Sequence, residues 1–504
     1  MIKPVGRPDQ LPSLDIRVLD PSSAPRGSAL QPTAYVADSL IVFARDPNAT
    51  RAVIAQLVGR GVGVSVAPLF PADLEPPSET AVLALHKVTL TYEAEAVPSV
   101  DLVSLVAQLR TILGPYAVGL DHVVTTAPYL AGVPYLAGVP YLAGVPYLAG
   151  VPYLAGVPYL AGVSAMQQYG MPGFGGRSPV AVLIADPACT APTPARQPVV
   201  AILDTGLGTH PWFLDPALAT SQVTYGPYLL GMNGNLPGAK SHQAPVNPLD
   251  GSVGSDAGHG TFICGIIRQV CPSARLLAIP VMADDGVVAE SGLMATLSAL
   301  LHRHIDGVLK RRPELVIDVL NLSLGYYHED PNDIAFDGPF AALLADFGRW
   351  GVAVVASAGN SGTTRPMYPA AFAAAPDDPS RVPQVTVGAL NADGSTVAYF
   401  SNAGPWVTAL RIGASLVSTV PTTLSGDAQP AASLTYQGLH RTTPDPDAYA
   451  SGFATWSGTS FAGPVLAAEI ARALVHDPDL ATIDKATSIA RGRRAVELVH
   501  GRAL

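Results

Sequence analysis

Four side chains in this 504-residue sequence are of types that together could carry out nucleophilic acyl transfer: Asp204, His259, Asn360 and Ser460. Asp204 closes an apolar run, VVAILD, and opens the Gly-rich turn TGLGTH. A carboxylate there can accept the Nδ1–H of an imidazole and stabilise the imidazolium formed during proton transfer, although a carboxylate at a turn is by itself ordinary. His259 lies between Gly258 and Gly260 in SDAGHGTFICGII, where small neighbours leave the ring room to face a substrate. Histidine is the side chain best matched to shuttle a proton near neutral pH. Ser460 opens a long Ala-rich helical stretch in WSGTSFAGPVLAAEIARAL. Serine in that place commonly serves as an N-cap, but a helix N-terminus also offers free N–H groups and a favourable dipole to a developing oxyanion. Asn360 ends the run VVASAGN, and its amide can donate a second hydrogen bond to the same oxyanion.

Each of these signals is weak alone, but their order along the chain, Asp, His, Asn, Ser, is joined by two further segments, NLSLG at 321–325 and YPA at 368–370. With DTG at Asp204, GHGT around His259, SAGN ending at Asn360 and SGTS ending at Ser460, residues 198 to about 475 resemble the catalytic domain of the subtilisin-like serine protease family, the subtilases or peptidase S8. The resemblance implies that Asp204 orients His259, that His259 acts as general base and then general acid, and that Ser460 attacks the scissile carbonyl. It further implies an oxyanion hole made by Asn360 and the backbone N–H of Ser460. Ser323, Leu324 and Gly325 would pair with an extended substrate by strand addition, opposite a second strand near 286–291. With Ala356, Ser357, Ala358 and Gly359 they would also wall the primary specificity pocket. The implied activity is serine endopeptidase hydrolysis through an acyl-enzyme, with no cofactor needed for the chemistry. Structural calcium is common in the family, yet no oxygen-ligand loop is legible here, so no metal residue is assigned.

The sequence departs from the family where FICG follows His259 and SFAGPV follows Ser460. Neither change removes a catalytic atom. Cys264, one helical turn beyond His259, is expected to confer sensitivity to mercurials. Segments 213–255 and 421–455 are long and are expected to hold loops over the cleft. A maturation protease dedicated to one peptide or protein precursor would carry the same triad, and a non-enzymatic binding module on the same fold would be expected to have lost part of it. A serine-carboxyl peptidase would use a carboxylate base where this sequence supplies His259.

The elements that must position these groups are readable as apolar runs alternating with helical patterns. Strands are expected at 199–203, 274–281, 316–324, 352–356 and 385–389, with helices at 292–311 and 335–350 among those between them. Buried continuous strands alternating with helices specify a mostly parallel, doubly wound α/β sheet with its site beyond the carboxyl ends of the strands. Upstream, 31–126 reads β-α-β-β-α-β, with strands at 35–44, 62–67, 81–92 and 116–124 and helices at 49–60 and 100–112, a small α+β ferredoxin-like domain. That order is similar to the propeptides that chaperone and inhibit subtilases, which implies intramolecular inhibition by the N-terminal domain and self-cleavage in the linker.

Residues 1–30 are expected to be a flexible tail, 127–163 carry PYLAGV tandem repeats, 164–197 form a Gly/Pro-rich linker, and 198–504 complete the catalytic domain. The repeats are apolar and long enough for a membrane span, but proline at every sixth residue would leave backbone groups unsatisfied in lipid, so an extended or turn-rich spacer is expected, with a short solenoid or sticky interaction surface as the alternative. The formal charge of −10, from 29 Lys+Arg against 39 Asp+Glu, offers no basic field for nucleic acid. The partner that the resemblance implies is a polypeptide substrate. No apolar signal segment opens the sequence, and its 3 Cys, including Cys189 and Cys271, show neither disulfide nor zinc spacing. The expected localisation is cytoplasmic, with non-classical export as the alternative, and buried thiols are expected.

Overall fold

The computed structural model describes residues 14–19, 30–44, 46–70, 85–93, 99–114, 117–126, 177–183, 185–187, 194, 196–232, 246, 251–330 and 338–500. The hexapeptide array, Cys189 and most of the expected tail lie outside them.

The N-terminal unit runs β1 (Ala34–Phe43), α1 (Pro47–Val58), β2 (Val62–Pro68), β3 (Leu85–Tyr92), α2 (Leu102–Leu113) and β4 (Val118–Thr126). Its strands are antiparallel in the order β4-β1-β3-β2, the split β-α-β arrangement. Both helices start where the sequence supplies an aspartate N-cap. Asp46 accepts from Asn48 N and Ala49 N, each at 3.0 Å, and Asp101 accepts from Val103 N at 3.1 Å. The apolar face of each helix closes over the sheet, with Ile54, Leu105 and Leu109 packed among Leu40, Val42, Val88 and Leu120.

The larger unit is built on β5 (Val199–Asp204), α3 (His259–Val270), β6 (Arg275–Pro280), β7 (Val287–Ala289), α4 (Glu290–Leu309), β8 (Val319–Leu322), β9 (Leu324–Gly325), α5 (Gly338–Arg349), β10 (Ala353–Ser357), β11 (Val385–Leu390), β12 (Ala409–Ile412), β13 (Phe453–Trp456), α6 (Thr459–Val475) and α7 (Lys485–His500). A parallel sheet orders them β12-β11-β10-β8-β5-β6, with the short strand Ala219–Thr220 at its edge. Successive strand side chains go to opposite faces, so each strand serves two cores. Val199, Ala201 and Leu203 join Leu293, Leu300, Phe340 and Phe347 of α4 and α5, while Val200 and Ile202 join Phe262, Ile266, Leu466 and Val496 of α3, α6 and α7. This is the doubly wound α/β class expected from the sequence. Because the chain leaves β5 toward β6 and returns to β8 on the other side, the topological switch point falls at the carboxyl end of β5, where Asp204 stands.

The two units share backbone ladders. The end of β4 pairs antiparallel with β7 on one side, Val123 opposite Ala289 and Thr125 opposite Val287. On the other side it pairs with β9, Thr125 opposite Gly325 and Thr126 opposite Leu324. Thr126 N also donates to Gly286 O at 3.0 Å. The strand expected over 286–291 therefore ends at Ala289, and α4 begins two residues before the expected 292. The cause is not local: Asp121 of β4 accepts from Ser291 N at 2.9 Å and from Ser291 Oγ at 2.7 Å, capping α4 from another part of the chain. The expected linker contains a packed stretch, since Ser178–Pro179 pairs with β13. Among the described residues no helix is long and apolar enough to cross a membrane.

Candidate active site

Asp204 is carried to the rim of the sheet by a strand whose six residues are all buried. His259 is the first residue of α3, and its entry into the helix depends on two glycines. Gly258 has φ +82°, and Gly260 lies so close to Gly206 O that a Cβ there would approach it to 2.3 Å. With the backbone held this way, Nδ1 of His259 lies 2.8 Å from Oδ1 and 3.0 Å from Oδ2 of Asp204. Oδ1 also accepts from Thr205 N at 2.7 Å. Burial acts to lower the imidazole pKa, but the charge and hydrogen bond of Asp204 outweigh it, and the net direction is upward. Asp256 adds to the rise and Arg177 opposes it.

Ser460 is the second residue of α6, with its Oγ buried. The helix start is pinned from several directions. Ser460 O accepts from Ser323 Oγ at 2.8 Å, and Thr459 N and Oγ1 donate to Asn360 Oδ1 at 2.7 and 2.8 Å. With Oδ1 used in this way, the NH₂ end of Asn360 is the donor on the Gly458 side, as an oxyanion contact requires. Thr459 Oγ1 in turn accepts from Gly359 N at 3.0 Å, so the loop after β10 and the start of α6 form one hydrogen-bonded corner. Phe461 faces the imidazole of His259 at 5.1 Å between ring centroids, and Trp456 meets it edge-on at 5.4 Å.

The structure thus brings Asp204 and His259 into direct contact and joins Asn360, Gly359, Ser323 and Ser460 around the helix start. Among the described residues no hydrogen bond joins Ser460 Oγ to His259. Ser357 Oγ reaches Ser323 Oγ at 3.4 Å, and Leu324 and Gly325 lie in the ladder with β4. Ala356 and Ala358 are fully buried at the end of β10 and in the loop that follows. Pro421 and Leu424, at the start of the second long segment, border a cavity of about 300 Å³ with Gly208, Gly258, Thr261 and Asp284.

Cys264 corrects an expectation. It does lie one turn along α3 from His259, but it is fully buried, and burial pushes its thiol well above the ordinary range. Reactivity requires an exposed thiolate, so sensitivity to mercurials does not follow from this site.

Four features were not legible in the sequence. The ring enclosure of His259 by Trp456 and Phe461 and the corner made by Thr459 depend on contacts between distant segments. So does the guanidinium of Arg177, buried between Tyr449 and Trp456. The fourth is an ionic cluster between the units, where His122 Nδ1 lies 2.7 Å from Glu290 Oε2 and Nε2 lies 2.8 Å from Glu329 Oε2. His328 is close by, but both nitrogens of His122 are taken up by carboxylates, so the cluster is a set of ion pairs rather than an open metal cage.

Residues 195–488, more than half of the chain, match the profile of the Subtilase family, Peptidase_S8. The chain is 26% identical to "Serine protease AprX" of Bacillus subtilis (strain 168) over 317 residues, which are 56% of this chain and 58% of that protein. It is also 26% identical over 190 residues to "Subtilisin-like protease het-Q2" of Podospora anserina, covering 33% of this chain and 47% of that one. The chain thus spans about half the length of these curated relatives. Among solved structures, a cold adapted subtilisin-like serine proteinase is similar at 19% identity and a TM-score of 0.37, covering 64% of this chain and 90% of that one.

Proposed function

The chain belongs to the subtilase family, and from that premise we propose that it is a serine endopeptidase acting through Asp204, His259 and Ser460. The observation that carries the reading is the buried contact of 2.8 Å between His259 Nδ1 and Asp204, in a chain whose Ser460 opens a helix beside Asn360.

The chemistry follows from these positions. Asp204 holds the Nδ1–H, so Nε2 presents its lone pair and takes the proton of Ser460 as Oγ bonds to the substrate carbonyl carbon. The carbonyl π electrons move to oxygen, where Ser460 N–H and the Asn360 amide receive the charge. The C–N bond then breaks, the imidazolium returns its proton to the leaving amine, and water repeats the cycle on the acyl-enzyme. Asp204 holds the imidazole in orientation and stabilises the imidazolium through its bond to Nδ1.

The substrate is a polypeptide bound in extended form between β7 and β9, walled by Ser323, Leu324, Gly325, Ala356, Ser357, Ala358 and Gly359. The register of β4 supports this path, because β4 already fills the space between those two strands by main-chain pairing. The N-terminal unit would accordingly inhibit the enzyme in cis, and a cut downstream of Thr126 would remove its tether. Incubation of the full chain and its Ser460→Ala form with a fluorophosphonate probe and a mixed peptide library tests the reading. Labelling and cleavage by the wild type alone are expected; no labelling of the wild type, even after residues 1–163 are removed, overturns it.

A further inference from the structure

Arg177 comes from the stretch upstream of the residues that match the family profile, yet it is only 1% exposed and stands among the largest fully buried side chains of the described residues. Its Nη1 donates to Ser255 O at 2.8 Å and its Nη2 to Gly254 O at 2.7 Å. Those carbonyls belong to the loop that delivers His259, since Ala257 N donates to Gly254 O and His259 N donates to Asp256 O at 2.9 Å. The guanidinium also lies over the ring of Trp456, 5.0 Å from its centroid, and Trp456 is the ring whose edge meets His259. The stretch itself is anchored: Tyr449 Oη donates to Arg177 O at 3.4 Å, Ser178 and Pro179 pair with Thr455 and Ala454, and Val180 N donates to Phe453 O at 3.1 Å.

A buried guanidinium without a direct carboxylate partner among the described residues is costly. Among the described residues its Nε makes no hydrogen bond, and Nη1 and Nη2 donate to neutral carbonyls. An apolar side chain would fill the volume with less penalty. What only the fork can do is hold two consecutive carbonyls and an indole face in one fixed arrangement beside the imidazole.

We propose that Arg177 is a positioning residue for the reaction, fixing the Gly254–Ser255 carbonyls and Trp456 against His259, and that the mature enzyme therefore keeps the chain from Arg177 onward. This rests on the serine peptidase reading above. It also narrows the maturation cut to a point after Thr126 and before Arg177. Displacement of a general base by a fraction of an ångström to one ångström can cost up to about 100-fold in rate. The charged groups bearing on His259 are Asp204 at the end of β5, Asp256 in the preceding loop and Arg177 itself, which opposes the two carboxylates. Loss of the cation therefore moves the acid limb of the pH profile upward, which a purely structural filler would not do.

The test compares wild type, Arg177→Met and Arg177→Lys in kcat, KM and the pH dependence of kcat/KM, and reads the N-terminus of the active species by intact mass. In Arg177→Met the expected result is a fall in kcat of about ten- to a hundred-fold with KM within about twofold, and an acid limb at higher pH. Arg177→Lys, which keeps the charge without the fork, should keep the limb and recover only part of kcat. A folded Arg177→Met or Arg177→Lys with wild-type kcat and limb overturns the proposal. So does a fully active species that begins after Arg177, a readout that stands even where the methionine variant fails to fold. A wild type that neither labels nor cleaves would sink the peptidase reading itself, a distinguishable result because it does not involve the variants.

Discussion

Nε2 of His122, in the N-terminal unit, lies 2.8 Å from Oε2 of Glu329 in the larger unit, and both side chains are buried. Glu290 closes the other side of the imidazole at 2.7 Å, and Tyr326 stacks on its face at 4.5 Å between centroids. Burial alone would lower the His122 pKa, but its bonds to Glu290 and Glu329 prevail and raise it well above the ordinary value. Glu329, which burial would raise, is held at about 2 by His122 and His328, whereas burial keeps Glu290 above its usual range. Because His122 has a higher pKa docked than free, its contribution to docking is fully present below the free value and is lost as pH rises through the docked one. In the Ser460→Ala chain, hydrogen exchange at β7 and β9, corrected for intrinsic rates, should show protection falling by up to about tenfold per pH unit above about pH 6.5. Protection that stays flat from pH 6 to 9 would show that His122 does not carry the coupling.

His122→Gln removes one side of two buried ion pairs, for which about 3–5 kcal/mol is the usual cost. The expected outcome is a full chain whose N-terminal unit exchanges readily at every pH, measured by the same amides. Protection equal to the parent would remove the cluster from any part in docking.

Asp204→Asn should leave the fold intact and lower kcat by about 10⁴-fold, because an amide can present its N–H₂ to Nδ1 and stabilise the wrong imidazole tautomer. The sign of the accompanying pH change also follows. Without the carboxylate charge the burial contribution dominates, so the acid limb of kcat/KM should move to lower pH. A pH-rate profile settles both points.

Asn360→Ala should reduce kcat by about 10²–10³-fold with little change in KM, since an oxyanion donor acts only in the transition state. Thr459 loses an acceptor in this variant, so its melting temperature should be recorded beside the kinetics. A loss confined to KM would assign Asn360 to ground-state binding.

Thiol reagents should leave the native enzyme active. Cys264 is fully buried and its thiol is pushed toward the protonated form, so labelling should appear only as the chain unfolds. Inactivation in step with modification of Cys264 in the folded protein would contradict this.

The architecture was legible to a large extent because parallel strands buried on both faces announce themselves as continuous apolar runs, as Val199–Asp204 and Val385–Leu390 do. Asp204 and His259 were legible only in company, since each is an ordinary residue alone and it was their order with Asn360 and Ser460 along the chain that singled them out. What escaped the sequence is what depends on long-range meetings. Nothing around Ser291 signals a helix start, since its cap is Asp121 from a strand 170 residues away. Arg177 sat in a Gly/Pro-rich stretch that reads as a connection, and its burial is decided by Trp456 and Tyr449. Cys264 was read by its distance along the helix from His259, which says nothing of which side of α3 meets the core.

Because the end of β4 is bonded to β7 on one side and to β9 on the other, cutting the chain does not by itself open the cleft. Scission removes the tether, but two ladders of backbone bonds must still part together, and partial fraying of either leaves the strand in place. If the N-terminal unit inhibits as proposed, the delay between the cut and the first turnover is a dissociation time, a property of the severed complex rather than of the catalytic step. On that proposal the molecule would carry its own timer, wound by strand pairing and run faster or slower by the protonation of a single imidazole.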